Sequence, residues 1–378
     1  MKEYSLHILM TANCAWNLWN FRRGLIVALL SDGHRLTLLA PPDGTVANLE
    51  GLGCRFVPLS MSTKGMNPFK ELNFLRRLHK TFKIHRADII LSYTIKNNIF
   101  GALAARSLNI PFIPNVTGLG AGFLSSGSLR VVVEILYRIS FKSPIKVFFQ
   151  NNDDEELFVR RNLVDSRKCF ILPGSGIDLN FFIPAEYPRK DVNTIFLMIG
   201  RLIRTKGLYE FTKAARQIKS RYPQARFKLL GPQLDAQDGD AVGALELQAW
   251  QEEGIIEYLG VTDDVRPHIS AAHCIVLPSY REGVPRSVIE AASMARPVIV
   301  TNVAGCREVV KNGVTGYLCR PRDMNDLAQK FEQFMALPYY EKFKMGNAGR
   351  AMMEANFDEA NVIKAYRSAI ATICIDPQ

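Results

Sequence analysis

The string Pro278-Ser279-Tyr280-Arg281-Glu282-Gly283-Val284-Pro285-Arg286-Ser287-Val288-Ile289-Glu290-Ala291 combines two carboxylates with a loop and a helix start. An apolar run ends at Leu277, glycine and proline make a loop, and helical spacing begins near Ser287. Glu282 falls in the loop and Glu290 about one turn into the helix. A helix N-terminus offers unpaired N–H groups and the positive end of its dipole, which suits a phosphate or a sugar hydroxyl. A carboxylate beside it can accept two hydrogen bonds from a vicinal diol. Taken singly, Glu290 reads equally well as an early-helix acid and Glu282 as a solvated loop acid. A second string, Gly200-Arg201-Leu202-Ile203-Arg204-Thr205-Lys206-Gly207, runs from a strand into a helix with Arg201 and Lys206 at the two ends of its loop. Arginine offers a fork for phosphate oxygens and lysine a point charge.

These loops need elements to position them. Strand and helix patterns alternate along the first half: strands at 5–10, 35–40, 54–58, 89–92, 112–115 and 146–150, with helices at 21–31, 46–52, 68–82, 99–107 and 131–142. Residues 185–193 are polar, contain a proline and read as a linker. The alternation restarts with strands at 194–199, 226–230, 256–259, 274–277 and 297–301 and helices at 207–220, 244–253, 265–272 and 287–294. Such alternation predicts parallel sheets with helices on both faces, here two doubly wound α/β domains in tandem. Ligands bind such sheets outside the C-terminal strand ends, so two facing domains predict an inter-domain cleft.

Composition narrows the class. The chain has 378 residues, 48% hydrophobic and 22% charged, which excludes a disordered chain, a collagen-like fibre and a small disulfide scaffold. Seven scattered cysteines without a Cys-x-x-Cys pair argue for a reducing compartment and against a zinc site. No secretion signal and no run of about 18 apolar residues is present, so a cytoplasmic location is expected. The net charge of +11 is uneven: residues 1–190 hold 24 Lys+Arg against 14 Asp+Glu, residues 191–378 hold 23 against 22. A basic first half suits an anionic surface. Its segment 64–86 holds seven Lys+Arg against Glu71 alone, with apolar residues at helical spacing, and reads as a basic amphipathic helix for an anionic membrane. The charge has no interleaved aromatic platform and no known binding motif, so no nucleic acid partner is expected.

The two strings resemble the signature of the family 4 retaining glycosyltransferases, which have the GT-B fold of two facing Rossmann-like domains. Two glutamates with seven residues between them in Arg-Glu-Gly-x-Pro-x-Ser-x-x-Glu-Ala, and Gly-Arg-Leu-x-x-x-Lys-Gly, are the matching motifs. The resemblance implies that Glu282 contacts the donor sugar and Glu290 the ribose, with Gly283, Val284, Pro285 and Arg286 close to sugar and phosphate. It implies that Arg201 and Lys206 clamp the pyrophosphate, whose charge develops as the glycosidic bond breaks. The stretch from Thr301 through Gly305 to Gly316 resembles the strand and turn behind the donor site, with Gly305 allowing a close backbone approach.

The first half is similar to glycosyltransferases acting on polyprenyl-diphosphate-linked sugars. The loop 12–17 stands where the family covers the donor phosphates, implying donor-side roles for Asn13 and Trp16, although the glycines many members carry there are missing. Thr94, Lys96 and Thr117 stand at strand ends where the resemblance implies acceptor-side roles. His79 and His85 lie in the basic helix, and no counterpart of the family's first-domain histidine is found. The expected domains are 1–187 for the acceptor, 188–356 for the nucleotide sugar, and a C-terminal helix at 357–378 crossing back to the first.

The expected function is transfer of a hexose or N-acetylhexosamine from a UDP-sugar to an undecaprenyl-diphosphate-linked saccharide at the inner face of a bacterial membrane, with retention and without a metal or other cofactor. Asp238-Gly239-Asp240 has the Asp-x-Asp form that holds a metal in another glycosyltransferase fold, but its setting after Gly231-Pro232 reads as a solvated loop. A nucleotide-sugar epimerase of the same fold and a non-catalytic membrane-surface protein are the rival readings.

Overall fold

The computed structural model describes residues 5–61, 67–119, 128–189, 193–234 and 239–375. They form two compact units, one of residues up to 176 together with 359 onward, the other of residues 177–358.

The first unit is a parallel seven-stranded sheet of order β3-β2-β1-β4-β5-β6-β7. Its strands are β1 (His7–Thr11), β2 (Arg35–Ala40), β3 (Arg55–Pro58), β4 (Ile89–Tyr93), β5 (Phe112–Val116), β6 (Val147–Phe149) and β7 (Cys169–Ile171). The helices between them are α1 (Ala15–Ser31), α2 (Val46–Gly51), α3 (Pro68–His85), α4 (Ile95–Arg106), α5 (Ser128–Ser140) and α6 (Asn152–Arg160). Strands covered on both faces are buried end to end, as β4 and β5 are. The start of α3 is fixed by sequence: Asn67 accepts from the N–H groups of Phe69 and Lys70, and Pro68 follows the cap.

The second unit repeats the architecture with six parallel strands of order β10-β9-β8-β11-β12-β13. They are β8 (Ile195–Ile199), β9 (Arg226–Leu230), β10 (Glu257–Tyr258), β11 (Cys274–Leu277), β12 (Val298–Thr301) and β13 (Gly316–Cys319). Its helices are α7 (Leu208–Arg221), α8 (Ala244–Glu252), α9 (Arg266–Ala271), α10 (Arg286–Ser293), α11 (Met324–Ala336) and α12 (Tyr339–Asn356). The last helix, α13 (Glu359–Ile375), belongs to the first unit. There Val362, Tyr366, Ala369 and Ile370 share a core with Leu18, Leu25, Ile26 and Leu29 of α1, and Arg367 pairs with Asp32 at 2.7 Å.

Four expectations shift. The unit boundary falls between Gly176 and Ile177 rather than at 187/188, because Ile177 and Phe182 are buried in the second core. It falls between Asp358 and Glu359 rather than at 356/357, because Phe357 lies in that same core. The expected linker 185–193 is largely structured: Tyr187 is buried and donates to the carbonyl of His273, while buried Arg296 donates to the carbonyls of Ala185 and Glu186. Residues 190–192 lie outside the described residues. Helix α1 starts six residues before the expected 21, because a carboxylate from another loop caps it, as shown below.

In each sheet the strand order reverses direction between the first strand and its neighbour, β1 beside β4 and β8 beside β11. The C-terminal ends of these strand pairs are therefore where a ligand crevice forms.

Candidate functional site

In the second unit the loops after β8 and β11 are brought together by hydrogen bonds and two glycines. The N–H of Tyr280 donates to the carbonyl of Thr205 at 2.9 Å, and the Ser279 hydroxyl to the same oxygen at 3.3 Å. Gly207 sits at φ +79°, where a Cβ would collide with the carbonyl of Pro278. On the other side the Thr301 hydroxyl donates to the carbonyl of Ser279, and the N–H of Glu282 to that of Ala304 at 3.2 Å. Gly305, at φ +80°, packs so that a Cβ would strike the carbonyls of Glu282 and Gly283. The loop 278–285 is thus wedged between two backbones that only glycine admits.

The wedge fixes the chemistry. Lys206 Nζ meets Glu282 Oε1 at 2.5 Å across 76 residues of sequence, with side chains 19% and 14% exposed. Arg201 is exposed two residues beyond the end of β8. Helix α10 begins after Pro285, an N-cap residue that makes no side-chain cap hydrogen bond. One turn in, Glu290 is 7% exposed and accepts from Arg286 Nε at 2.8 Å. Burial outweighs the Arg286 pairing and pushes the Glu290 carboxyl above the usual carboxylate range. This end of the second sheet carries two cations, two carboxylates and a helix N-terminus, a donor and acceptor set suited to a diol and a diphosphate.

Several supports escaped the sequence reading. Asp240 holds the Arg204–Lys206 turn: its carboxylate accepts from the Thr205 N–H at 3.2 Å and from the Thr205 hydroxyl, and its carbonyl accepts from the Arg204 N–H at 2.8 Å. It is an anchor rather than a solvated loop acid; Asp238 lies outside the described residues. Among the described residues no group of three or more His, Cys, Asp or Glu is placed to hold a metal ion. Tyr280 donates to Glu210 Oε1 at 2.8 Å, and burial, followed by that bond to a carboxylate, pushes its phenol up to about 12. The signal for Glu210 was faint, an acid in the first turn of α7.

The first-unit candidates lie on the other sheet. Asn13 is half-buried just after β1. Trp16 is 48% exposed, and its N–H donates to Asp43 Oδ2 at 2.7 Å. Burial alone would raise the Asp43 carboxyl, but hydrogen bonds from Thr45, Trp16 and Ala15 hold it below its usual range. The start of α1 therefore already carries a carboxylate, which opposes a donor phosphate at the Trp16 N–H.

Thr94, between β4 and α4, sits at φ +73°, ψ 152°, a strained conformation costing about 1–3 kcal/mol. Its hydroxyl accepts from Asn97 Nδ2 at 3.1 Å, and Asn97 accepts from the Thr11 hydroxyl at 2.9 Å. Lys96 Nζ is bound to Glu71 Oε1 at 2.5 Å, both half-buried or deeper, so its charge is internally balanced. Thr117 is half-buried directly after β5. The sequence reading also passed over Arg22, which is buried with its guanidinium 4.2 Å from the Tyr93 ring centroid. Its signal was a cation at the apolar spacing of Leu18 and Leu25.

Gly305→Ala is expected to lower Tm and abolish nucleotide-induced stabilisation, because strain of about 1–2 kcal/mol for a left-handed residue adds to the collision with the Glu282 loop. Gly44→Ala, with open space around its Cβ position, should change neither. Thermal melts with and without UDP read both; an unchanged UDP response in Gly305→Ala would mean the wedge does not shape the site.

Comparison with known proteins agrees with the two-unit α/β fold. Residues 18–174 match the model of a glycosyl transferase 4-like domain, and residues 193–336 that of glycosyl transferases group 1. The chain is 29% identical to N,N'-diacetylbacillosaminyl-diphospho-undecaprenol alpha-1,3-N-acetylgalactosaminyltransferase of Campylobacter jejuni, covering 93% of this chain and 94% of that protein. It is 27% identical to UDP-Gal:alpha-D-GlcNAc-diphosphoundecaprenol alpha-1,3-galactosyltransferase of Escherichia coli, covering 69% and 70%. Among solved structures, a glycosyltransferase from Rickettsia africae superposes with a TM-score of 0.76 at 20% identity over 98% of this chain and 99% of that one. Anabaena Alr3699/HepE in complex with UDP-glucose superposes with a TM-score of 0.78 at 17% identity over 97% and 100%. With two Rossmann-like units and both domain models matched in order, the chain belongs to the group 1, family 4-like glycosyltransferases of GT-B fold.

Proposed function

We propose that this glycosyltransferase moves a hexose or N-acetylhexosamine from a UDP-sugar to an undecaprenyl-diphosphate-linked saccharide in bacterial glycan assembly, with retention of configuration. The observation that carries the donor half is the wedge that sets Lys206 against Glu282 beside buried Glu290. The names of the Campylobacter and Escherichia relatives support the acceptor half. The working location is the cytoplasmic membrane face. Among the described residues no helix is long and apolar enough to cross a membrane.

The chemistry follows from the charges. Glu290 accepts the ribose hydroxyls and Glu282 the donor sugar's hydroxyls. The bond between the anomeric carbon and the β-phosphate oxygen breaks, and its electron pair goes to the diphosphate. Lys206 and Arg201 face that growing charge, where fixed cations act most strongly in the transition state. The acceptor oxygen bonds to the anomeric carbon on the face the diphosphate leaves, and its proton passes to a phosphate oxygen. The products are UDP and a glycoside of unchanged anomeric configuration. Asn13 and Trp16 are given a donor-side role through side chain and ring, since the Trp16 N–H is engaged. Thr94 and Thr117 are given acceptor-side roles, and Lys96 one through its pairing with Glu71.

The proposed cations take the part a divalent metal plays elsewhere, so full activity is expected in EDTA. The test incubates the chain with UDP-hexoses and UDP-N-acetylhexosamines, with and without an undecaprenyl-diphosphate saccharide. Elongated lipid product, formed in EDTA and only with acceptor present, supports the reading. A new nucleotide sugar made without lipid, or activity lost in EDTA and regained with manganese, counts against it.

A further inference from the structure

Helix α5 is apolar on both sides. Val133 and Tyr137 face the core, where they pack with α4 residues such as Ile99 and Phe100. On the outward side Leu129, Val131, Val132, Ile135 and Ile139 are between 39% and 56% exposed. Their spacing of three and four residues makes one continuous stripe. Surface helices ordinarily turn charged and polar residues outward, and a contiguous apolar patch marks an interaction surface where single exposed residues do not.

The rim of the stripe is basic. Its one acid, Glu134, is bound by Arg130 at 2.9 Å and by Arg161. Arg138 is exposed and reaches the carbonyls of Asn162 and Arg161, and Lys142 is exposed just past the helix end. Ile145, also exposed, extends the apolar surface. Aliphatic residues flanked by cations, with the helix's own carboxylate paired, complement an anionic lipid surface: the chains insert and the cations meet headgroups.

The helix singled out in the sequence is built differently. In α3 the central apolar residues Phe74, Leu78 and Phe82 are buried in the core. Its exposed Phe69, Leu72 and Ile84 stand near opposite ends, with Arg76, Lys80 and Lys83 between. Residues 64–66 of that segment lie outside the described residues. Helix α3 thus offers charge, whereas α5 offers charge and a surface to insert.

We propose that the outward face of α5 is the element that seats this chain in an anionic bilayer. The inference rests on the reading that the acceptor is lipid-linked. It also deepens that reading, because α5 returns from the strand end that carries Thr117.

The test uses the full chain and vesicles of phosphatidylcholine with or without phosphatidylglycerol, read by co-sedimentation. Wild type should bind only the phosphatidylglycerol vesicles. Val131→Glu/Ile135→Glu should weaken binding at least about tenfold, given the apolar area each aliphatic residue buries. Phe69→Glu/Ile84→Glu on α3 should weaken it far less. The α5 variant should keep the UDP-induced rise in Tm and its rate on a short-chain, water-soluble acceptor, and lose rate on a vesicle-embedded one. Unchanged binding of the α5 variant, or no binding by wild type, overturns the proposal. So does a wild-type dimer that the α5 variant splits while vesicle binding stays unchanged. If UDP stabilises neither protein, the glycosyl-transfer reading fails, while the vesicle measurements still decide the role of α5.

Discussion

Lys206→Ala is expected to lower kcat by about 10²–10³-fold while changing KM for the UDP-sugar little. That magnitude matches loss of one preorganised group facing transition-state charge. In the free protein the Lys206 ammonium is held by Glu282 at 2.5 Å, and Asp240 fixes the backbone of its turn. It therefore needs little reorganisation when the diphosphate departs. An interaction that strengthens as the bond breaks appears in kcat, whereas one already complete in the bound substrate appears in KM. Lys206→Arg should retain part of the rate, since the charge persists. A raised KM with unchanged kcat would reduce Lys206 to a ground-state contact. The pair also calls for a double-mutant cycle with Glu282→Gln: if Lys206 acts only by holding Glu282, the double variant will be no slower than the slower single one.

Glu290→Gln is expected to weaken UDP binding by about 10- to 100-fold, the loss of a hydrogen-bonded charge of roughly 1.5–3 kcal/mol. Here pH separates function from stability. Burial raises the folded Glu290 carboxyl above its ordinary 4.5. The folded protein then binds more protons than the unfolded chain between 4.5 and that raised value. This contribution favours folding fully below 4.5 and is lost as pH rises through the folded pKa. Above that raised value the ionised, buried carboxylate is a cost to the free protein, partly offset by Arg286. Glu290→Gln should therefore melt no lower than wild type at pH 7 while losing its response to UDP. Because the ionised form accepts the ribose hydroxyls, wild-type affinity for UDP should fall on acidification, beginning above the range of an ordinary glutamate. The Gln variant should lack that dependence. Calorimetric titration across pH reads both, and identical pH profiles for the two proteins would remove Glu290 from the nucleotide site.

The first half yielded less of its site to sequence reading than the second. Motifs after β8 and β11 are compact, so their resemblance to the family's motifs singled out Arg201, Lys206, Glu282 and Glu290 as candidates. At the first sheet the chemistry is spread over separate loops. Trp16 looked like part of a phosphate loop until Asp43, 27 residues away, was found on its N–H. Lys96 was singled out for an acceptor-side role, and nothing in the sequence indicated that Glu71, 25 residues back, holds its ammonium. The basic segment 64–86 was legible as charge. Which helix leaves its apolar residues outside depends on what packs on it, and that favoured α5 over α3.

The sequence by itself determined the class of fold and supplied the residues proposed for the donor end. Period-two and period-3.6 patterns are local, and so are glycines and cations at strand-to-helix turns. Only the tertiary structure decided the strand orders that put β1 beside β4 and β8 beside β11, and hence which strand ends make a crevice. It also decided that α13 completes the first unit, that Gly207 and Gly305 wedge one loop, and that Lys206 faces Glu282. These are contacts between segments far apart in the chain, fixed by how apolar faces pack and how buried polar groups find partners, and no short window of sequence contains both halves of such a contact.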